Sequence, residues 1–476
     1  MNENEKDYST IDASCRVPLL PLFGGAALWL VVGLVFALVA SLTFHPHMPE
    51  KFGNCAFLTY GRLVPAANDA IVYGFAIPAA LGVILWVFAR LSETELVLPL
   101  VPIVASNIWH LGVLIGLVDI LIGDSTGFAW LEFPRASSVL IFVAYMLIAI
   151  SAFATFGGRR ERALQPAHWF LLAALLWFPW IYSTANLFLV AWPVRGVTQA
   201  VINWWFANNL IFMFLGLAGL GVAFYLLPKI AKRPLQGEHY ALFAFWTFIL
   251  FGTWCGIPQE APVPAWLPAT SAVASALMIV PLIAFGVVYV KTVYGTNVQC
   301  KGGPFCYAKF GTVAFILSGL MYMAWGCPEF GRVVDATWFG PAQTQLHILG
   351  FFTIVICGAI YELLPGVMCF ELSFPKFVRV QHWFFMLGLL LLVVPLAIGG
   401  MVQGYQLQDA SVPFATIRDG TSHYLQLSSM GLLLLLAGSL LLAANIFAMT
   451  IRWKLELGKT VVIAIKSALE PQEVKS

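Results

Sequence analysis

Residues Leu19–Leu42 read LLPLFGGAALWLVVGLVFALVASL, twenty-four positions without a charged side chain. Wound as a helix at about 1.5 Å per residue, the stretch is about 36 Å long, enough to cross the roughly 30 Å hydrocarbon core of a bilayer. A membrane β-strand would alternate apolar and polar positions instead. The same texture recurs along the chain. Twelve continuous apolar runs lie near 18–44, 66–91, 96–123, 133–157, 167–193, 200–228, 239–258, 267–292, 306–326, 338–365, 378–403 and 424–451. The seventh is the weakest, because Trp254-Cys255-Gly256-Ile257-Pro258 breaks its end.

Composition agrees. The chain has 476 residues, 60% apolar and 10% charged, with 38 Phe and 17 Trp. Soluble domains carry roughly 25% charged residues. A soluble enzyme is therefore excluded. So is a nucleic-acid partner, since 25 basic against 23 acidic residues leave no basic stripe for phosphates. The expected fold is an all-α polytopic membrane protein of twelve transmembrane helices, a single domain over 1–476 with short tails at 1–17 and 453–476.

Orientation follows from Lys and Arg. With both termini cytoplasmic, nineteen basic residues fall on that side and six on the other. The first run follows a mixed, partly acidic leader and lacks a small-residue cleavage site, so it reads as a retained helix. The eight cysteines form no C-x-x-C, which argues against thiolate clusters and covalent haem. Cys55 and Cys327 fall on the outer side; a disulfide between them is one reading and free thiols the default. Cys300 and Cys306 flank Lys301-Gly302-Gly303-Pro304 and read as reduced thiols about a turn.

Function must come from polar residues at membrane depth, which are costly and mark candidate sites. These are Asp69, His110, Asp119, His347 and Glu362, with the uncharged Asn68, Asn208, Asn209, Gln343 and Gln345. Helical spacing puts Gln343 and His347 on one face of their helix and Gln345 well round from both. Each also has a structural reading: amides as interhelical glue, the two histidines as satisfied donors, Asp69 as a cap, Glu362 as a side chain reaching the headgroups. A b-type haem needs axial imidazoles from facing helices, and a catalytic copper wants about three converging imidazoles. Only His110 and His347 lie near mid-membrane. On ligand chemistry alone the chain is a poor haem protein.

Several segments together resemble subunit I of the cbb-type cytochrome c oxidases, within the haem–copper oxidases and related to the nitric oxide reductases. Trp204-Trp205-Phe206-Ala207-Asn208-Asn209, with Leu226-Leu227-Pro228-Lys229 and Arg233-Pro234, is similar to that family's helix six. Gly61-Arg62-Leu63-Val64-Pro65 resembles the approach to helix two, and Leu131-Glu132-Phe133-Pro134 the lead into helix four. Gly358-Ala359-Ile360-Tyr361 with Leu364-Pro365 resembles the end of helix ten. His382-Trp383 and Gly400-Met401-Val402-Gln403-Gly404 resemble helix eleven. The likeness covers nearly the whole chain.

The resemblance implies haem b, copper and six imidazole ligands, and the chain departs at each. Ala67 stands where helix two holds the low-spin haem. Asn208 matches the first copper histidine, and Pro258 and Gln259 match the histidine pair of helix seven. Gln343 and Gln345 match the H-x-H of helix ten, which serves one ligand to each haem. Gly252 falls near the copper-linked tyrosine. His347, two residues past the motif, points about 200° away from Gln345. Glu132 resembles an acidic residue near haem propionates and a calcium, and is expected here to pair with Arg135 or to cap helix four.

The expected function is thus a cofactor-depleted subunit-I-like scaffold of a respiratory electron-transfer complex in a bacterial inner membrane. Its partners are membrane lipids and membrane-anchored c-type cytochromes, with a quinol bound between helices where the haems would have been. Two alternatives stay open. One is an active oxidoreductase with haem reassigned to His110 and His347. The other is a proton or solute transporter with a relay through Asp69, Asp119, Glu362 and His347.

Overall fold

The computed structural model describes residues 8–45, 55–296 and 303–469. His47, Lys51 and Cys300 lie outside them. Its long helices are α1 (Ser9–Leu42), α2 (Tyr60–Leu91), α3 (Leu100–Ile122), α4 (Arg135–Gly157), α5 (Pro166–Ala191), α6 (Val197–Ala231), α7 (Glu238–Gly252), α8 (Trp266–Val293), α9 (Pro304–Gly326), α10 (Phe339–Met368), α11 (Pro375–Leu407) and α12 (Phe414–Leu469). Among the described residues eleven of these are long and apolar enough to cross a membrane. The exception is α7, 15 residues long, the element expected to be weakest. It stops at Gly252, and Pro258 and Gln259 fall in non-helical chain beyond it.

Helix starts follow the backbone chemistry of proline. α5, α9 and α11 each begin on Pro, whose fixed φ suits the first turn and whose missing N–H is no loss there. α3 ends on Gly123 at φ 103°, a left-handed cap that a side chain would strain. α2, α6 and α10 are almost entirely buried through their most apolar stretches and form the centre of the bundle, while the outer helices bury one face and turn the other to lipid. α12 lies along α11 and α1.

The expected tail at 1–17 is a correction. Helix α1 already runs from Ser9, because Asp12, only 4% exposed, is anchored inside the bundle. Trp86 donates from Nε1 to its Oδ1 (3.0 Å), and Arg90 donates to both carboxylate oxygens. The guanidinium also lies over the rings of Tyr8 and Trp86. At the same end of the bundle Lys229 pairs with Glu362 (3.2 Å) and sits over Trp86. Glu362 is thus an interhelical ion-pair partner between α6 and α10. The tail expected at 453–476 is likewise helical as far as Leu469.

Cys55 and Cys327 are free thiols, and Cys306 is disulfide-bonded, against the expectation of a reduced pair about residues 300–306.

Candidate functional site

Four stretches of π-helix interrupt the long helices: Ala70–Ala76 in α2, Asn186–Ala191 in α5, Asn209–Phe214 in α6 and Leu346–Thr353 in α10. Such stretches collect at functional sites because the extra residue per turn re-aims side chains. Three of them begin within a turn after Ala67, Asn208 and Gln345. The helical geometry around these positions is therefore special even where the side chains are not ligands.

Asn208 is bonded at both ends. Its Nδ2 donates to the Gly252 carbonyl (2.9 Å), and its Oδ1 accepts from the Tyr322 hydroxyl (2.6 Å). Asn209 donates to Trp205 O and accepts from Trp177 Nε1 (3.1 Å). Tyr322 lies flat on Phe212, ring centroids 4.2 Å apart. Two glycines let the end of α7 close on this group. A Cβ at Gly252 would stand 2.2 Å from Met213 Sδ, and one at Gly256 2.7 Å from Asn208 Cβ. Pro258 and Gln259 border a cavity of only about 70 Å³ beside Tyr322 and Trp325.

On α10, Gln343 Nε2 donates to Ser318 Oγ (3.2 Å), and the same hydroxyl bonds His347 Nδ1 (3.0 Å). The His347 ring packs on Phe212 and Phe351, and its Nε2 has no partner. The expected sharing of a face by Gln343 and His347 is thus realised as one contact to α9. His110 belongs to a different contact: its Nε2 bonds the Pro21 carbonyl on α1 (3.0 Å). Gly25 makes room for that ring, which a Cβ would meet at 2.2 Å. The two histidines therefore serve separate helix pairs. Among the described residues no three His, Cys, Asp or Glu converge as a metal site would require.

Ala67 and Gln345 face a different environment. Both line a cavity of about 680 Å³ bounded by α1, α2, α10, α11 and α12, with Asn68, Trp130, Trp338 and Gln403 also in its wall. Asn68 and Gln345 have no hydrogen-bond partner among the described residues. Among the described residues no histidine and no charged side chain lines the space. Sequence reasoning identified both positions but not the cavity, which exists only once five helices are assembled.

Beside the cavity wall Asp69 is fully buried, in the interior of α2 rather than at its start, and both carboxyl oxygens lack a protein donor. Glu132 faces it. Burial pushes the Glu132 carboxyl up to about 7, against the opposing pull of the Asp69 carboxyl and backbone N–H groups. Two facing carboxyls disfavour ionising together. Glu132 neither pairs with Arg135 nor caps α4, as expected of it: Arg135 donates instead to Val190 O (3.1 Å), and no side chain caps the helix. The four residues of the expected relay are likewise dispersed: Glu362 pairs with Lys229, Asp69 faces Glu132, His347 bonds Ser318, and Asp119 lies half-buried near the end of α3.

Known proteins resemble the chain along most of its length. The cbb3-type cytochrome c oxidase subunit CcoN1 of Stutzerimonas stutzeri is 24% identical over 360 residues, covering 73% of this chain and 75% of that one. A cytochrome c oxidase subunit 1 homolog of Azorhizobium caulinodans is 23% identical over 98% of this chain and 87% of its own. The cytochrome c oxidase subunit 1 of Rhodobacter capsulatus is 23% identical, over 88% and 82%. In fold the chain matches a solved haem–copper terminal oxidase dimer, with TM-score 0.73, 15% identity and coverage of 92% and 84%. Residues 18–434 match the family model described as cytochrome c and quinol oxidase polypeptide I, and the chain belongs to that family.

Proposed function

We propose that this chain is a cofactor-depleted, subunit-I-like scaffold of a respiratory electron-transfer complex in a bacterial inner membrane, not catalytic alone. Membrane-anchored c-type cytochromes dock on its outer side, surrounding lipid completes its environment, and a quinol site forms part of the same assembly.

One observation carries the reading. The positions that hold imidazoles in cbb-type enzymes bear side chains that lack suitable donors, and two of them are already committed elsewhere. Asn208 and Gln343 are tied into helix contacts, Met213 fills the space beside Gly252, and Ala67 has no donor at all. Haem iron takes an imidazole, thiolate, thioether or phenolate, and copper prefers imidazole or sulfur over amide oxygen. The residues present do not fit either group. Among the described residues the large cavity lacks both an axial donor and any cation to balance haem propionates. His110 and His347 cannot jointly serve one haem, since each is engaged at a different helix contact.

Native purification followed by haem and metal analysis tests this. Expected is a chain free of haem and copper that co-purifies with c-type cytochromes. A reduced-minus-oxidised Soret difference belonging to this polypeptide, abolished by replacing His110 and His347, would establish the oxidoreductase alternative instead. Proton or solute flux in proteoliposomes, lost on Asp69→Asn, would establish the transporter.

A further inference from the structure

We propose that the cavity bounded by α1, α2, α10, α11 and α12 holds a neutral, ring-bearing lipophile of the quinone class, kept as a bound ligand and not oxidised or reduced there. The inference rests on the preceding reading, because an iron porphyrin in the same space would exclude it.

The cavity's size comes first. About 680 Å³ falls inside the range of roughly 300–1,000 Å³ typical of small-molecule sites. Its lining then limits the ligand's charge. Every described side chain in the wall is uncharged, and a buried ion without a partner is strongly disfavoured. Free haem, fatty acids and phospholipid headgroups are therefore poor occupants.

Polar groups narrow the class further. Asn208, Asn209 and Gln343, the other deep amides near this centre, are all bonded. Asn68 on α2 and Gln345 on α10 face the cavity with none. A carboxamide both donates and accepts, so the pair can bond quinone carbonyls or quinol hydroxyls. An acyl chain would leave both amides unsatisfied, at a cost for each. Indole rings of Trp130 and Trp338 offer flat apolar surfaces to a ring. Leu392, Leu396, Leu425 and Leu432 make the α11–α12 flank aliphatic, suited to an isoprenoid tail.

The same lining argues against turnover. Oxidising a quinol releases two electrons and two protons. Among the described residues the wall has no carboxylate and no imidazole to accept a proton, and the Tyr60 phenol is the one titratable side chain in it. A phenol is already protonated near neutral pH.

The test uses the full chain purified from native membranes in mild detergent. Haem is quantified, quinone is extracted and quantified, and decylubiquinone is titrated with intrinsic tryptophan fluorescence as the readout. Expected are stoichiometric quinone and saturable quenching. Asn68→Leu with Gln345→Leu should weaken binding about tenfold, the loss of two neutral hydrogen bonds. Ala67→Phe, which fills the cavity, should abolish quenching independently of those amides. A haem-free protein that carries only phospholipid and shows no saturable quenching overturns the inference and leaves the scaffold reading standing. Saturable quenching indifferent to both variants overturns it as well, by placing the quinone elsewhere. Haem found in this cavity overturns the scaffold reading first.

Discussion

Glu132 is 7% exposed in the loop ahead of α4 and faces Asp69. Its carboxyl, pushed from an ordinary 4.5 up to about 7 by burial, keeps its proton in the folded protein over a range where the unfolded chain has released it. Folding therefore binds protons between these two values. The stability this residue contributes is complete below about pH 4.5 and is lost as pH rises through 7. Unfolding midpoints measured in detergent from pH 5 to 8 should fall with rising pH. Glu132→Gln, which cannot ionise, should flatten that slope and stabilise the protein at the alkaline end. An unchanged slope in the variant would mean that the proton is held elsewhere. The sequence marked Glu132 as notable but aimed it at Arg135, its nearest cation along the chain. Only the folded backbone, which turns the acid inward toward α2, reveals the real neighbour.

Helix contacts depend on residues with no side chain as much as on residues with large ones. Gly25 on α1 admits the His110 ring from α3. Gly25→Ala should destabilise by about 1–3 kcal/mol through overpacking. In a His110→Ala background the obstacle is gone, and the same change should become mildly stabilising by about 0.5 kcal/mol, since alanine suits a helix interior better than glycine. Thermal unfolding of the four proteins reads that reversal of sign. Most spans were legible from their apolar runs, and the end of α7 from Trp254 through Pro258. The leader was not. Asp12, Ser14 and Arg16 look like a solvated tail until Arg90 and Trp86 are seen to receive Asp12. The π-helical stretches were also invisible, because no residue pattern in Ala70–Ala76 or Leu346–Thr353 separates them from α-helix; packing decides. Of the site, the sequence pointed to Ala67, Asn208, Pro258, Gln259, Gln343 and Gln345 as positions to inspect. The split between a filled region around Asn208 and an open one around Ala67 could not, since it depends on Met213, Phe212 and Tyr322 arriving from two helices.

At the scale of the molecule, the bundle is closed at one end by a network that joins the first helix to the buried centre. Asp12 on α1 receives Arg90 and Trp86 of α2, and Lys229 of α6 pairs with Glu362 of α10. The Asp12–Arg90 pair is the more buried, with side-chain exposures of 6% and 15%. Removing one member leaves an uncompensated charge, so Asp12→Ala should cost about 3 kcal/mol or more, and Asp12→Ala with Arg90→Met should recover part of it. Denaturation in detergent measures both. The shared fold with terminal oxidases shows that this framework tolerates 15% identity, as a bundle specified by apolar runs and a few interhelical bonds should. The closure of α6, α7 and α9 around Asn208 also bears on redesign. A Cβ at Gly252 would stand 2.2 Å from Met213 Sδ, one at Gly256 2.7 Å from Asn208 Cβ, and the Asn208 amide already holds Tyr322. Enlarging any one of these positions therefore calls for a compensating change at another, so substitutions at this junction should combine non-additively.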